Sequence, residues 1–308
     1  MSVYTLIDRH QLSEFLNAYD VGSLVDFEGI SAGIENTNYF VDTEKGRFVL
    51  TIFEHHSHQE LGYFLDIMAF MAEHQIPTAH PQPDHQGNYL KTLAGKPAAL
   101  VERLKGKTLE QPSQRQCEVM AQALAQFHVA GMQFDRYRAN DRDLNWAQAV
   151  VAQIQTLMTA EDQVLAGNEF AFQESVDWTG LPQSVIHADL FTDNAMFEGH
   201  QLTGIIDLYY ACHGACLYDL AVMVNDWCRT ADNKIDQVKL SGVLTAYQTV
   251  RPLTEAEKKA WTGALRMAAF RFWLSRLKDK LIPREGEVTM IKDPCVFKDV
   301  LIFHRKSR

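Results

Sequence analysis

The sequence predicts an α+β chain of two lobes, a small strand-rich lobe followed by a larger, mainly helical one. Three observations carry this. Short β-favouring runs crowd the stretch before Val101, helical spacing dominates from Ser113 onward, and no low-complexity linker or internal repeat interrupts either part. The first lobe is expected over residues 1–101, a hinge over 102–105 and the second lobe over 106–308. A cleft between two such lobes is where a ligand is expected.

In the first lobe, Leu12, Phe15, Leu16 and Tyr19 recur at helical spacing, with Asp8 placed to cap and Gln11 three residues on. Strands are expected at 24–27, 38–41 and 48–53, the last two joined by the turn Thr43-Glu44-Lys45-Gly46. Leu61, Phe64, Leu65, Met68 and Met71 then mark an amphipathic helix that must end before Ile76-Pro77. A second hairpin runs from 88–90 through Ala94-Gly95 to 98–101. In the second lobe, Met120, Leu124, Phe127 and His128 share one helical stripe. Thr254 with Glu257 forms a capping box opening a long helix through Trp261, Leu265, Phe272 and Leu277. Strand signals here are confined to 184–187 and 196–207.

Composition narrows the function classes. The 308 residues are 46% hydrophobic and 22% charged, an ordinary globular balance, and the formal net charge of −10 excludes a large nucleic-acid footprint. A nucleotide remains possible as a ligand, because a pocket handles phosphate with local charge and a metal ion. No charge-free apolar run is long enough to span a bilayer, so no membrane partner is expected. The first residues lack a basic-then-apolar secretory layout, and the five cysteines are odd in number without a CxxC pair. Together these predict a cytoplasmic protein with reduced thiols. Oligomeric state is not legible. His55, His56 and His58 lack further ligands at zinc-like spacing and read as solvated.

The segment Val185-Ile186-His187-Ala188-Asp189-Leu190-Phe191-Thr192-Asp193-Asn194 carries the chemistry. A buried strand runs into His187, a polar loop follows, and the chain re-enters a strand at Ala195. A second apolar strand, Leu202-Thr203-Gly204-Ile205-Ile206, ends on Asp207. Phosphoryl transfer needs a carboxylate to orient the attacking hydroxyl and take its proton. It also needs an amide oxygen and a second carboxylate to hold Mg²⁺ against the phosphates of ATP. Asp189 fits the first role and Asn194 and Asp207 the second, with His187 bracing the loop.

H-x-D-x-x-x-x-N followed by an apolar strand and Asp resembles the aminoglycoside phosphotransferase and choline kinase superfamily, relatives of the protein kinases. The resemblance implies a two-lobed protein-kinase-like fold with ATP at the hinge. It implies that Asp189 is the catalytic base, that Asn194 and Asp207 are magnesium ligands, and that Asp219 steadies the catalytic loop. Adenine is then expected on the backbone around Glu102 and Leu104. Ser31, Ala32 and Gly33 sit where a phosphate-covering loop belongs, although the GxGxxG pattern is absent. One departure matters. Thr51 stands where many relatives carry a Lys, which leaves Glu60 without that partner, the phosphate clamp unassigned and a catalytically inactive relative open as a reading.

Further segments resemble the homoserine kinases of this superfamily. They include Gly33-Ile34-Glu35-Asn36-Thr37-Asn38, Leu50-Thr51-Ile52-Phe53-Glu54, Ile206-Asp207-Leu208-Tyr209-Tyr210 and Lys292-Asp293-Pro294, so the similarity spans nearly the whole chain. That resemblance tolerates Thr at the Lys position and implies transfer of the γ-phosphoryl of ATP to L-homoserine, feeding threonine synthesis. Homoserine is a zwitterion, so Arg271 is expected to meet its carboxylate and Asp226 its ammonium. Other acceptors stay open: choline or ethanolamine, an aminoglycoside, or methylthioribose.

Overall fold

The computed structural model describes residues 4–30, 36–283 and 292–306. In chain order the elements begin α1 (Arg9–Leu16), β1 (Leu24–Gly29), β2 (Asn36–Thr43), β3 (Gly46–Phe53), α2 (His58–Glu73), β4 (Lys91–Leu93) and β5 (Lys96–Glu102). They continue with α3 (Gln114–Gly131), α4 (Leu144–Ile154), α5 (Ala160–Glu174), β6 (Gln183–Ile186), β7 (Ala195–Glu198), β8 (Gln201–Ile205) and β9 (Cys212–Ala215). The last four are α6 (Cys216–Trp227), α7 (Gln237–Gln248), α8 (Glu255–Leu281) and α9 (Cys295–Lys306). The chain divides into two compact units: residues 1–107 with 195–209, and residues 108–194 with 210–308.

The first unit is built on an antiparallel sheet of order β1-β2-β3-β5-β4. Its register sets Thr51 opposite both Asn38 and Ala99. Alternation along the strands sends Tyr39, Val41, Phe48, Leu50, Ile52 and Leu100 into a core shared with Leu12, Phe15 and Leu16 of α1. Full burial of each such side chain contributes about 1.5–3 kcal/mol. The expected cap of α1 is present in both directions. Asp8 accepts the Gln11 N–H at 2.8 Å, and the Gln11 side chain accepts the Asp8 N–H at 3.0 Å.

Two expectations are corrected in this unit. The hairpin arm placed at 88–90 lies instead at Lys91–Leu93, because Asp84 captures the preceding residues in a turn. Its carboxylate accepts the backbone N–H of Gln86 at 2.9 Å and of Asn88 at 2.8 Å, and pairs with Lys91 at 3.1 Å. The larger correction concerns 195–209, expected with the helical lobe but belonging to the first unit. Backbone hydrogen bonding decides it. The Lys107 N–H donates to Phe197 O at 3.1 Å, the Phe197 N–H donates to Lys107 O at 2.9 Å, and the Ile205 N–H donates to Pro77 O at 2.6 Å. The Thr203 hydroxyl adds a 2.6 Å bond to Lys105 O. This approach requires Gly106, at φ 89°, since a Cβ there would lie 2.6 Å from Phe197 O.

The second unit is helical around α8, a long helix opened by the expected Thr254–Glu257 capping box and packed against α4, α5, α6 and α9. Helix α3 packs on α7 and on β6. Strand β9 was not expected. It pairs antiparallel with β6, setting Ile186 opposite Cys212, and lets the start of α6 lie behind the residues that follow β6. Cys117, Cys212, Cys216 and Cys228 are buried free thiols. Among the described residues no helix is long and apolar enough to cross a membrane.

Candidate active site

In the second unit, β6 delivers the chain to His187, which is fully buried. Ala188 then adopts φ 64°, a conformation unfavourable for a residue with a Cβ. Beside it lies Asp219, buried in the first turn of α6. One carboxylate oxygen accepts the His187 N–H and the other the Ala188 N–H, each at 2.8 Å.

Asp219 is also bound by His128. With the His128 Nε2–H donated to Asp219 at 3.0 Å, Nδ1 of the neutral ring accepts the Tyr247 hydroxyl at 2.6 Å. Asp219, His128 and Tyr247 are all fully buried. Burial pushes the His128 imidazole below its ordinary range, against the pull of Asp219. Burial alone would push Asp219 up, but the bonds from His128 and His187 outweigh it and hold the carboxyl below its usual value.

Asp189 follows, partly buried. Its backbone N–H donates to His187 Nδ1 at 3.3 Å, and its carbonyl accepts the Phe191 N–H at 2.8 Å. The Asn194 amide donates to Asp189 O at 2.8 Å and to Asp189 Oδ2 at 3.3 Å, which leaves the amide oxygen as an acceptor for something else. Burial raises the Asp189 carboxyl to about 6, an effect moderated by Arg271, His187 and Lys292. Such a group is ionised at neutral pH yet basic enough to take a proton.

Arg271 lies with Nη1 3.6 Å from Asp189 Oδ1 and is only 4% exposed. Its guanidinium stacks over Phe272 at 3.9 Å and faces Tyr210 at 5.6 Å, while Nε has no hydrogen-bond partner among the described residues. A buried guanidinium with an unused Nε donor beside a carboxylate is suited to receiving an anionic group. Asp226 commits Oδ2 to the Thr192 N–H at 2.9 Å and sets Oδ1 3.9 Å from Arg229. Beside it, Trp227 Nε1–H donates to Leu190 O at 3.0 Å, so the end of α6 also holds the loop.

In the first unit, Asp207 is exposed at φ 62°, two residues past β8. Tyr209 follows within a short 3-10 turn, its ring 5.3 Å from Phe53, 6.1 Å from His56 and 5.9 Å from Phe64. Thr51 donates its hydroxyl to Asn38 Oδ1 at 2.8 Å. Glu60 closes the α2 capping box with Ser57. An ion pair of this sheet lies elsewhere, between the half-exposed Lys96 of β5 and Glu54, which also accepts from Thr5 and Thr37. Glu102 donates its N–H to His80 O at 3.0 Å. Leu104 packs on Gly204, where a Cβ would come within 2.2 Å of its Cδ1. Ser31, Ala32 and Gly33 lie outside the described residues.

Among the described residues no three His, Cys, Asp or Glu side chains form a metal-binding group, His55, His56 and His58 included. The donors of Asn194 and Asp207 are nonetheless hard oxygens, the kind Mg²⁺ accepts in small number when phosphate oxygens complete its shell. Sequence reasoning missed His128, Tyr247, Asn38 and Tyr209. A histidine on the apolar stripe of α3 was the one signal that pointed to the first of them.

Residues 26–253 match the model of the phosphotransferase enzyme family. The chain is 46% identical over 301 residues to the homoserine kinase of Methylobacillus flagellatus, covering 98% of this chain and 94% of that one. It is 40% identical over 302 residues to the homoserine kinase of Neisseria meningitidis, covering 98% and 99%. Among solved structures, spectinomycin phosphotransferase bound to ADP and spectinomycin superposes with a TM-score of 0.72 at 12% identity, over 98% of this chain and 99% of that one. An aminoglycoside phosphotransferase of Alicyclobacillus acidocaldarius gives 0.69 at 15% identity, over 97% and 91%. At these identities the structures speak for a shared fold alone.

Proposed function

The chain belongs to the phosphotransferase enzyme family, and from that membership we propose that it transfers the γ-phosphoryl group of ATP to the side-chain hydroxyl of L-homoserine. The product, O-phosphohomoserine, feeds threonine biosynthesis, and we assign the reaction to the cytoplasm. The observation that carries the reading is Asp189, a carboxylate raised to about 6 and fixed by its neighbours on a loop that Asp219 anchors.

In this mechanism the homoserine oxygen attacks the γ-phosphorus while Asp189 orients the hydroxyl and takes its proton. The bond from the γ-phosphorus to the bridging oxygen breaks and ADP leaves. Such a step depends chiefly on positioning and on charge stabilisation. Bound Mg²⁺ would neutralise charge on the phosphates, with the Asn194 amide oxygen and the Asp207 carboxylate as its protein donors. Arg271 receives the substrate carboxylate, its Nε unspent on other described residues. Asp226 supplies negative charge for the ammonium through Oδ1, since Oδ2 is committed to Thr192. Adenine meets the backbone around Glu102 and Leu104.

The test is ADP release with Mg-ATP across L-homoserine, choline, ethanolamine, methylthioribose and kanamycin. Turnover is expected on homoserine alone, and Asp189→Asn is expected to lower kcat by roughly 10²–10⁴-fold. Turnover on a different acceptor would keep the mechanism and replace the substrate. No turnover on any acceptor, with ATP still bound, would reverse the assignment.

A further inference from the structure

The last helix is amphipathic, and one end of its buried face reaches the Asp189 loop. Phe297, Val300, Leu301 and His304 recur at helical spacing on α9 and are all buried. At the far end, His304 Nε2–H donates to Asn225 Oδ1 at 2.7 Å and the Asn225 amide donates to Leu265 O at 2.8 Å, which ties α9 to α6 and α8. At the near end, Phe297 meets Phe191 of the loop and Phe272 of α8. Ring centres are 5.7 Å apart for Phe191 and Phe297, 5.4 Å for Phe272 and Phe297, and 4.5 Å for Phe191 and Phe272. Arg276 covers the Phe297 ring at 4.5 Å. Each ring touches the other two, which leaves the Phe191 side chain little room to turn. Phe191 is also the residue that joins Asp189 to Asn194. Its N–H donates to Asp189 O at 2.8 Å, and its carbonyl accepts the Asn194 N–H at 3.0 Å. Lys292 adds a contact from the surface, with Nζ 2.8 Å from Asp193 Oδ2, but this pair is half exposed and contributes little.

We infer that Phe297 is a positioning residue for Asp189 and Asn194: by packing on Phe191 it holds the turn that presents both side chains. The last helix thereby sets the geometry of the reacting groups without touching substrate. Asp219 holds the start of the same loop, at His187 and Ala188, and Phe297 holds its middle. The inference deepens the kinase reading and rests on it, since the position of Asp189 governs a rate only if Asp189 takes the proton.

The measurement is kcat and KM of the full chain with Mg-ATP and homoserine, beside amide hydrogen exchange of the loop. Phe297→Leu keeps an apolar side chain and removes the ring. It is expected to lower kcat by roughly ten- to a hundredfold, the effect of a small misplacement of a reacting group, with both KM values unchanged. Phe191→Leu should reproduce the fall and the double variant should add little, because both act through one contact. Phe297→Met, which fills more of the space and packs well on rings, should recover part of the rate. In Phe297→Leu the Phe191 and Asn194 amides should exchange faster, while those of His187 and Ala188 keep their protection. Leu301→Ala separates position from stability: one turn along the same buried face, it should lower the urea midpoint and leave kcat unchanged. Wild-type kcat in Phe297→Leu, an equal fall of kcat in Leu301→Ala, or unchanged exchange at Phe191 and Asn194 overturns this inference alone. No turnover by the wild-type chain on any acceptor overturns the kinase reading, and this inference with it.

Discussion

Two segments of this molecule solve one problem by different chemistry. Each begins two residues past a strand end, β6 for Asp189's loop and β8 for the Asp207 segment, and each turns through a left-handed residue that is not glycine, Ala188 at φ 64° and Asp207 at φ 62°. Behind the first stands a buried carboxylate, Asp219, collecting two backbone N–H groups and a histidine. Behind the second stands a set of rings, Phe53 and Phe64 around Tyr209. A buried charge is costly to desolvate and correspondingly costly to leave unpaired, so it holds its donors rigidly. Ring contacts carry no such penalty and hold less. The loop that carries Asp189 is thus fastened more firmly than the segment that carries Asp207.

The largest separation between a buried charge and a neutral contact should appear in stability. Asp219→Ala leaves the N–H groups of His187 and Ala188 and the Nε2–H of His128 without their acceptor in a dry site. Destabilisation of about 3–5 kcal/mol is expected from the shift in urea midpoint, against about 1 kcal/mol for Thr51→Val, which loses only the bond to Asn38. Equal losses would mean that the buried charge holds no more than a neutral hydroxyl.

A smaller effect sharpens the electrostatics on the Asp189 side. The Asp189 carboxyl sits at about 6, raised by burial and held from rising further by Arg271. A base acts when deprotonated, so kcat/KM should be full above this value and fall as pH drops through it. Arg271→Ala removes a favourable positive charge and must raise the carboxyl further, moving the acid limb to higher pH. The same variant should raise KM for homoserine by roughly ten- to hundredfold, the worth of a charge-assisted hydrogen bond, with KM for ATP unchanged. An acid limb that stays in place would show that Arg271 does not act on Asp189.

Much of this was legible in the sequence because it depends on local spacing. H-x-D-x-x-x-x-N keeps His187, Asp189 and Asn194 on one loop, and the Asn194 amide bonds Asp189 five residues away. The capping boxes at Asp8 and Thr254 are likewise three-residue events. What stayed hidden depends on contacts between distant segments. His128 and Asp219 are 91 residues apart, and a histidine on an apolar stripe does not name its partner. Strand β9, with Gly214 in its four residues, has no alternation to announce it and exists because β6 supplies a partner. The 195–209 stretch has a strand pattern, but its attachment to the first unit comes from backbone bonds to Lys107 and Pro77, which carry no residue signature. Thr51 was legible as a departure, but its partner Asn38 on the neighbouring strand was not.

The smallest predicted effect is the most discriminating between an imposed and an intrinsic loop shape. Ala188→Gly relieves a left-handed strain of about 1–2 kcal/mol. It also loosens the unfolded chain, costing about 0.5–1 kcal/mol, and removes a methyl group that is 4% exposed in alanine, a further ~0.8 kcal/mol. These nearly cancel, so the urea midpoint should move little. If Asp219 imposes the loop geometry through the two N–H bonds, glycine is held in the same conformation and kcat should stay within about threefold of wild type, since both bonds survive. If the geometry came instead from the packing of the Ala188 methyl, kcat would fall while stability did not. A retained kcat in Ala188→Gly beside a collapse of stability in Asp219→Ala would locate the control of the Asp189 loop in one buried carboxylate.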